Sequence, residues 1–278
     1  MRLQYLGTAA AEGWPAIFCN CKMCEEARRL GGKNIRTRQQ AILNGDLLFD
    51  ICPDTYMHAL QNNLDLSGVH TLLMTHSHSD HHNPYQLGMR ADIFAHAPTE
   101  EKLYVFGNEC VISDIRNKLT YHYGDNIKKR VEYSYAPLFV PFSSGGYTIT
   151  PLLADHMPNC PEEHCYLYIV EREGKRMLYG NDTGLFPMET MDYIKGIPFD
   201  LVSLDCTLGT QDYERNHMGI NATLKQIELM KKYGCTKADT IYVLTHFSHN
   251  SGLLHEQLVE RLSPHGVQIA YDGMVIDF

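Results

Sequence analysis

The sequence lacks a long hydrophobic run, and no stretch of its 278 residues is apolar enough to cross a lipid bilayer. Its first residues, MRLQYLGTAA, also lack the apolar core and the small-residue cleavage site of a secretory signal. We therefore expect a cytoplasmic protein with no membrane partner.

Basic residues are scarce as well. The chain has 24 Lys+Arg against 33 Asp+Glu, a net charge of −9, and no basic patch is visible in the sequence. Since phosphate backbones are bound chiefly by Lys and Arg, nucleic acid is an unfavourable partner. Linkers, low-complexity tracts and Pro/Gly-rich hinges are also missing, which predicts a single domain over residues 1–278.

Cysteine is present in an odd number, nine, and in a reducing compartment clustered thiols are better explained as metal ligands than as disulfides. The segment FCNCKMC places Cys19, Cys21 and Cys24 within six residues. This spacing predicts a zinc clip, spanning about residues 13–30, that needs a fourth ligand from elsewhere in the chain. The candidates are His249, His217 and the pair Cys160 and Cys165.

Apolar, β-branched segments recur along the chain and predict many strands, whereas helical patterns occur near 21–30, 109–121, 219–233 and 253–262. The segment AILNGDLLFDI predicts a hairpin, with Asn44 and Gly45 in the turn. Many strands with fewer helices favour an α/β fold of two packed sheets flanked by helices. HTLLMTHSHSDHH and TIYVLTHFSHNSG both read as an apolar strand ending in Thr-His, a faint internal repeat.

The most informative segment is THSHSDHH, residues 75–82, which follows the apolar strand VHTLLM. Residues two apart in an extended loop point the same way, so His76 and His78 can reach one cation. Asp80 and His81, turned by the bend, can reach a second cation, and the pattern therefore predicts a two-metal site. His82 extends the motif by one residue and is expected to lie outside the ligand set.

Three further ligands are offered at the ends of apolar segments: His156, Asp182 and His246. Asp182 is the only carboxylate among them, so it is the natural bridge between two cations. A His/Asp shell suits Zn²⁺, Mn²⁺ or Fe²⁺. Two such cations would lower the pKa of a shared water toward ~7 and supply hydroxide as a nucleophile.

This order of residues resembles the metallo-β-lactamase superfamily, whose members carry H-x-H-x-D-H followed by a His, a bridging Asp and a last His. The resemblance implies an αββα sandwich of two mixed sheets flanked by helices. It also implies the distribution of the ligands: His76, His78 and His156 on one metal, Asp80, His81 and His246 on the other, and Asp182 shared.

Within that superfamily the sequence is most similar to the phosphodiesterases that open a phosphoribosyl cyclic phosphate (the PhnP type). The similarity lies at both ends of the chain. Near the start a Gly-Thr turn leads to C-x-C-x-x-C, and near the finish T-H-x-x-H is followed by a D-G-M strand. The resemblance implies that His249 completes a structural zinc with the three thiolates. It further implies that His217, in the segment RNH, is a proton donor beside the metals, and that the protein is a homodimer. Residues 83–145 do not match clearly and are expected to shape the pocket mouth.

These observations predict a phosphodiesterase that acts on a small phosphorylated substrate, either a cyclic ribose phosphate or a cyclic nucleotide. Asp80 and His217 are the candidate catalytic residues. Arg36, Arg38 and Arg90 could hold a phosphate, although each is more typical of an ordinary surface arginine. Three alternatives stay open: a lactonase or thioesterase on the same metals, a carrier like the quinone-cofactor biosynthesis B proteins, and, less favoured, a tRNA 3′-processing nuclease.

Overall fold

The computed structural model describes residues 1–100 and 102–278. Their strands form two sheets of seven strands each. The first sheet contains β1 (Arg2–Gly7), β2 (Gln40–Leu43), β3 (Leu47–Phe49), β4 (Thr71–Leu73), β5 (Leu103–Gly107), β6 (Val131–Tyr135) and β14 (Val275–Asp277). The second contains β7 (Phe142–Ser144), β8 (Tyr147–Leu153), β9 (Tyr166–Arg172), β10 (Lys175–Gly180), β11 (Phe199–Asp205), β12 (Thr236–Thr245) and β13 (Val267–Ile269).

Both sheets are mixed and are built in the same way. The first has the order β14-β1-β2-β3-β4-β5-β6, antiparallel from β14 to β3 and parallel from β3 to β6. The second has the order β7-β8-β9-β10-β11-β12-β13, antiparallel from β7 to β10 and parallel from β10 to β13. In each sheet a Thr-His pair lies at the end of an inner parallel strand, since Thr75-His76 follows β4 and Thr245-His246 spans the end of β12, as the internal repeat suggested.

The helices cover the outer faces of the sheets. They are α1 (Lys22–Leu30), α2 (Thr55–Gln61), α3 (Pro84–Leu87), α4 (Glu109–Tyr123), α5 (Met188–Ile194), α6 (Ile220–Lys232) and α7 (His255–Leu262). Apolar residues of α3 and α4 pack on the first sheet, and those of α1, α5, α6 and α7 pack on the second. This arrangement confirms the predicted αββα sandwich.

A third apolar layer lies between the two sheets and joins them. Period-2 alternation sends Leu3 and Tyr5 of β1 into this layer and Leu6 to the helix side. The rings of Phe49 and Tyr179 stack across the layer with centroids 4.0 Å apart. A buried aromatic pair of this kind contributes about 0.5–1.5 kcal/mol beyond its burial. The packing therefore fixes how strand ends of the two sheets meet.

The predicted segments agree with the structure in type and differ at their ends. The segment VEYSYAPLFV, whose apolar and aromatic residues predict one long strand, is a strand only as far as Tyr135, because Pro137 has no N–H to donate to a ladder. β12 begins at Thr236, four residues before the predicted start. Across the described part of the chain, no helix combines the length and apolarity needed to span a membrane.

The candidate ligands lie where strands of both sheets end. Residues 75–82 follow β4, His156 follows β8, Asp182 follows β10 and His246 follows β12. The carboxyl ends of neighbouring parallel strands open at one sheet edge, which is where α/β folds place their sites. Sheet packing therefore collects residues from four distant chain segments into one place.

Candidate functional site

The first group of candidate ligands contains His76, His78, His156 and Asp182. His76 Nε2 lies 3.0 Å from His78 Nδ1, and His156 Nε2 lies 3.0 Å from the same atom. Asp182 Oδ2 is 3.2 Å from His76 Nε2. Three imidazoles and one carboxylate oxygen thus converge on one point, and this is the grouping that the family resemblance implied.

The second group contains Asp80, His81, Asp182 and His246. His81 Nε2 lies 3.0 Å from Asp182 Oδ2 and 3.3 Å from Asp80 Oδ2. His246 Nε2 lies 3.5 Å from Asp182 Oδ2. Asp182 therefore belongs to both groups, which is the geometry required of a bridging carboxylate.

The backbone at two of these residues adopts a conformation that L-residues rarely take. Asp182 has φ 59° and His246 has φ 62°, both in the left-handed region. Such a conformation costs of order 1 kcal/mol or more for a residue with a side chain and persists only where the surroundings impose it. In both cases the turn aims the side chain back across the strand end, into the cluster.

Asp50 and Thr75 orient the histidines that follow β4. Asp50 Oδ2 accepts a hydrogen bond from His81 Nδ1 at 2.8 Å, and Asp50 also accepts from the backbone and hydroxyl of Thr75. The Thr75 hydroxyl in turn accepts from His76 Nδ1 at 2.9 Å. These bonds place the ring protons on Nδ1, so the Nε2 lone pairs of His76 and His81 face the cluster.

Similar contacts orient the histidines of the second sheet. His246 Nδ1 lies 2.8 Å from Thr207 Oγ1, whose own proton is donated to Asp205 Oδ2 at 2.7 Å. His156 Nδ1 donates to the carbonyl of Asn216 at 3.0 Å. The Nε2 atoms of His246 and His156 are therefore also left as acceptors that point inward.

Glu163 holds the His-rich loop itself. Its carboxylate accepts from the backbone N–H of Ser77 at 2.8 Å and from the Ser77 hydroxyl at 2.6 Å. Asn108 donates to the same carboxylate at 3.1 Å. The residue between His76 and His78 is thereby anchored, and both imidazoles are kept on the inner side of the loop.

The electrostatics of the cluster fit cations. Four carboxylates are buried there, with at most 4% of each residue exposed: Asp50, Asp80, Asp182 and Asp205. Buried His81 Nε2, Asp182 Oδ1 and His246 Nε2 have no hydrogen-bond partner among the described residues. Buried charges and polar atoms of this kind are stable only when paired or bound to metal. The donor types and their convergence suit two divalent cations.

The buried carboxylates of the cluster also affect the protonation of His81. Burial alone would lower its pKa, but the carboxylates of Asp80 and Asp50 raise the pKa of His81 well above its usual range. Positive charge is therefore strongly favoured at this position. A metal ion and a proton compete for the same Nε2 atom.

His217 lies beside the cluster, where the family resemblance places the histidine of the RNH segment. Its Nδ1 is 3.1 Å from Asp205 Oδ2 and 3.1 Å from Asp182 Oδ1. Burial would lower the pKa of His217, but Asp182 and Asp205 raise it to about 9. His217 also forms a possible ligand group with Asp182, Asp205 and His246. The geometry thus allows two roles, proton donor and additional ligand.

The three thiols meet His249. Cys21 Sγ lies 3.3 Å and Cys19 Sγ 3.8 Å from His249 Nδ1, and Cys24 belongs to the same group. Burial opposes ionisation, but the backbone N–H of Cys24 and the imidazole of His249 lower the pKa of Cys21 to about 6. The thiolate is the form that binds zinc. His249 Nε2 lies 3.6 Å from Glu12 Oε1, an arrangement often seen behind zinc-bound histidines.

The other candidates for a fourth thiol-site ligand lie elsewhere. His217 is in the His/Asp cluster, and Cys160 Sγ lies 3.1 Å from Cys110 Sγ. Cys165 is buried among apolar residues. His82 Nε2 is bonded to Asp114 at 2.7 Å and belongs to none of the ligand groups, in line with its expected position outside them.

The three arginines considered for phosphate binding do not line the cavity above the cluster. Arg36 is buried and contacts Thr8, the carbonyl of Ala270 and His255. Arg38 is paired with Asp54 at 2.9 Å, and Arg90 donates to the carbonyl of Glu100. Each is therefore committed to structure, and Arg36 is a core residue where a surface arginine was expected.

Sequence reasoning did not identify Asp50, Asp205, Thr207 or Glu163. The first two carry the same signal that selected Asp182, since each follows or ends an apolar strand: LLFD for β3 and LVSLD for β11. That signal is weak for a single carboxylate, because Asp is also common in turns and caps. Thr207 and Glu163 have no local signature at all.

The cluster forms the floor of an open cavity of about 520 Å³. His78, Asp80, His156, Asp182, His217 and His246 contribute to it. Its walls include the neutral polar residues Asn159, Asn216 and Asn250. Glu12 and the thiol-site residue His249 also lie in the wall. A cavity of this size accommodates a small molecule and gives it access to the cluster.

Comparison with known families gives one match, to the beta-lactamase superfamily domain, over residues 46–247. This range contains all seven candidate ligands of the His/Asp cluster and His217. Among curated proteins, the chain is 26% identical to coenzyme PQQ synthesis protein B of Azoarcus sp. (strain BH72), over 99% of both chains.

Solved structures share the fold over the whole chain. A diphosphatase of the PhnP family has a TM-score of 0.73 and 22% identity, with coverage of 100% of this chain and 97% of the other. The Zn²⁺-bound PqqB of Methylobacterium extorquens has a TM-score of 0.76 and 18% identity, with 100% of both chains covered. At sequence identities of 22% and 18%, this similarity is evidence for a shared fold alone.

We expect two chemically distinct metal centres, because the thiol group and the His/Asp groups use different donors. Elemental analysis of reconstituted protein should find about three metals per chain. His78→Ala should lose metal from the His/Asp cluster alone, and Cys21→Ser should lose only the thiol-site metal. A content that stays at or below one metal per chain after reconstitution would contradict the prediction of two separate metal centres.

Cys21→Ser should lower the melting temperature markedly, because structural zinc contributes directly to folding. The molecules that remain folded should keep most of their turnover. The matched control is Cys235→Ser, a buried thiol outside the four-residue group. Thermal unfolding with and without a chelator measures the effect: chelator should destabilise the control strongly and Cys21→Ser much less. An unchanged melting temperature together with abolished turnover would contradict the structural role.

Proposed function

The chain belongs to the beta-lactamase superfamily and is a metallo-β-lactamase-fold hydrolase, and from this premise we propose that it is a two-metal phosphodiesterase acting on a small cyclic phosphate. The observation that carries the proposal is the position of Asp182, which is shared by two groups of inward-facing ligands at the floor of an open cavity. When bound, two divalent cations supply the charge that polarises a phosphodiester and the acidity that makes water a nucleophile at neutral pH.

The residues of the chain have distinct roles in this proposal. His76, His78 and His156 would hold one cation, Asp80, His81 and His246 would hold the other, and Asp182 would serve both. Metal identity stays open between Zn²⁺, Mn²⁺ and Fe²⁺. The thiol group Cys19, Cys21, Cys24 and His249 holds a structural Zn²⁺. A homodimeric state stays a prediction.

His217 is the proposed proton donor. Its Nδ1 is directed at Asp205 and Asp182, so Nε2, on the opposite side of the ring, is free to face the cavity that His217 lines. Asp205 positions the ring and stabilises its protonated form. An alkoxide leaving group needs a proton as the P–O bond breaks, and an imidazolium within hydrogen-bond reach can donate it.

A second candidate function is that of coenzyme PQQ synthesis protein B, which is favoured by the 26% identity over almost the full length of both chains. A lactonase or thioesterase is the third, since the same metals can activate water against a carbonyl carbon. The shared feature of the three is the metal cluster. They differ in whether turnover occurs and in which bond is broken.

Metal-loaded protein should therefore be offered ribose 1,2-cyclic phosphate, 2′,3′- and 3′,5′-cyclic nucleotides, a lactone and a thioester. The proposal expects a phosphate monoester as product from at least one cyclic phosphate, with little turnover of the lactone and thioester. Turnover of only the carbonyl substrates would support the third candidate. No turnover of any substrate by fully metal-loaded protein would support the second.

His217→Ala should lower kcat by roughly 10²–10⁴ on a substrate with a ribose alkoxide leaving group, the usual contribution of a general acid. With bis-p-nitrophenyl phosphate, whose p-nitrophenolate departs without a proton, the variant should be nearly as active as wild type. Metal content should be unchanged.

His78→Ala is the comparison for this experiment, because it removes a cluster ligand and should suppress both substrates alike. Equal losses for His217→Ala on both leaving groups would contradict the proton-donor role. If the variant also lost metal, His217 would be a ligand, together with Asp205, Asp182 and His246.

A further inference from the structure

We propose that this site selects cyclic phosphates whose remainder carries no second anionic group, and that Glu12 sets this selection. The inference rests on the proposed function, because it concerns the substrate of the same cavity. It narrows the substrate class to the cyclic phosphate of a neutral, hydroxyl-bearing molecule, such as a sugar or nucleoside without a further phosphate.

The charge at the cavity floor suits one bound anion. Four buried carboxylates surround the cluster: Asp50, Asp80, Asp182 and Asp205. Two divalent cations would neutralise these carboxylates, and the imidazolium of His217, the proposed proton donor, would add a single positive charge that matches one phosphodiester anion. One phosphodiester anion can then be held by direct contact with the cations, but the floor offers nothing to attract a second anion at a distance.

The walls of the cavity determine which groups meet the rest of the substrate. Among the described residues that line the cavity, there is no lysine or arginine. Glu12 is the only charged side chain in this lining outside the proposed ligand groups and His217. The remaining polar wall residues, including Asn159, Asn216 and Asn250, are neutral. The part of a substrate beyond the reacting phosphate therefore meets amides, hydroxyls and one negative charge.

Glu12 is held in this position by the loop that follows β12. Its Oε1 accepts a hydrogen bond from Ser248 Oγ at 2.6 Å and lies 3.6 Å from His249 Nε2. Its side chain is still 31% exposed, so part of the carboxylate is available to a ligand. A carboxylate in this state accepts hydrogen bonds from sugar hydroxyls and repels phosphate.

Arg215 is the arginine next in sequence to a cavity residue, Asn216, and it does not compensate. Its guanidinium Nε lies 2.8 Å from Asp155 Oδ2, and its side chain is 85% exposed outside the cavity lining. A second phosphate would have to draw Arg215 away from Asp155 to reach it. The geometry therefore gives such a phosphate no prepared partner.

The test uses two substrates that differ by one group: ribose 1,2-cyclic phosphate, and the same compound with a phosphate on the 5-hydroxyl. For wild-type protein we expect kcat/KM to be about tenfold higher for the first compound at low ionic strength, a modest effect in keeping with a partly exposed charge. The preference should shrink as salt is added, because salt screens exposed charges.

Glu12→Gln removes the charge and keeps an oxygen that can accept from Ser248. It should reduce the preference to about twofold or less, mainly by raising kcat/KM for the 5-phosphorylated compound. The matched control is Glu228→Gln, which removes the same charge from the exposed face of α6, where Glu228 pairs with Lys231. The control should leave the preference unchanged, and zinc content should be equal in all three proteins.

Binding provides a readout that does not depend on turnover. Calorimetric titration of metal-loaded protein with ribose 1-phosphate and ribose 1,5-bisphosphate should show the same order of affinity, and Glu12→Gln should bring the two dissociation constants together. A purely structural role of Glu12 would instead weaken both ligands alike and leave their ratio unchanged, which would overturn the inference.

Two results would overturn the inference while leaving the proposed function intact. One is equal or faster turnover of the 5-phosphorylated compound by the wild type. The other is a preference for that compound which disappears in Arg215→Ala, since Arg215 would then bind the second phosphate. Failure of the proposed function looks different, because neither cyclic phosphate nor bis-p-nitrophenyl phosphate would be hydrolysed.

Discussion

Four carboxylates, Asp50, Asp80, Asp182 and Asp205, are buried near strand ends of both sheets, and Asp80 and Asp182 line a cavity whose described lining contains no Lys or Arg side chain. An unpaired buried carboxylate costs several kcal/mol, so this arrangement needs cations. The left-handed backbone at Asp182 and His246 and the hydrogen bonds that fix each histidine ring all aim donor atoms at one volume. Apolar packing brings the strand ends of the two sheets together, and bound cations would satisfy the donors that meet there.

The thiol group lies next to one wall of the same cavity, to which its member His249 contributes. It joins the segment around Cys19 to Cys24 with the loop after β12 that carries His249. That loop also carries Ser248, which holds Glu12 in the cavity wall. Because His246 and His249 are three residues apart, the thiol group and the His/Asp cluster meet at the same short stretch of backbone. A change in the thiol group is therefore expected to affect the position of Glu12 as well.

The His-rich loop and the ends of β8, β10 and β12 could be predicted because each carries a local pattern: an apolar strand followed by His or Asp. The order of strands in the two sheets could not, because it depends on pairing between distant segments. Spacing left several candidates for the fourth thiol-site ligand. The resemblance to known phosphodiesterases selected His249, and its 3.3 Å distance from Cys21 agrees. Asp50 and Asp205 were missed, since one carboxylate after a strand is also common in ordinary turns.

The central claim is that two cations share Asp182. Anomalous diffraction from crystals of metal-reconstituted protein tests it most directly, since data collected at the absorption edge locate each bound metal. The account predicts two anomalous peaks about 3.5–4 Å apart with the Asp182 carboxylate between them, and a separate zinc peak among Cys19, Cys21, Cys24 and His249. A single peak at the His/Asp cluster in fully loaded crystals, or two peaks without Asp182 between them, would contradict the account.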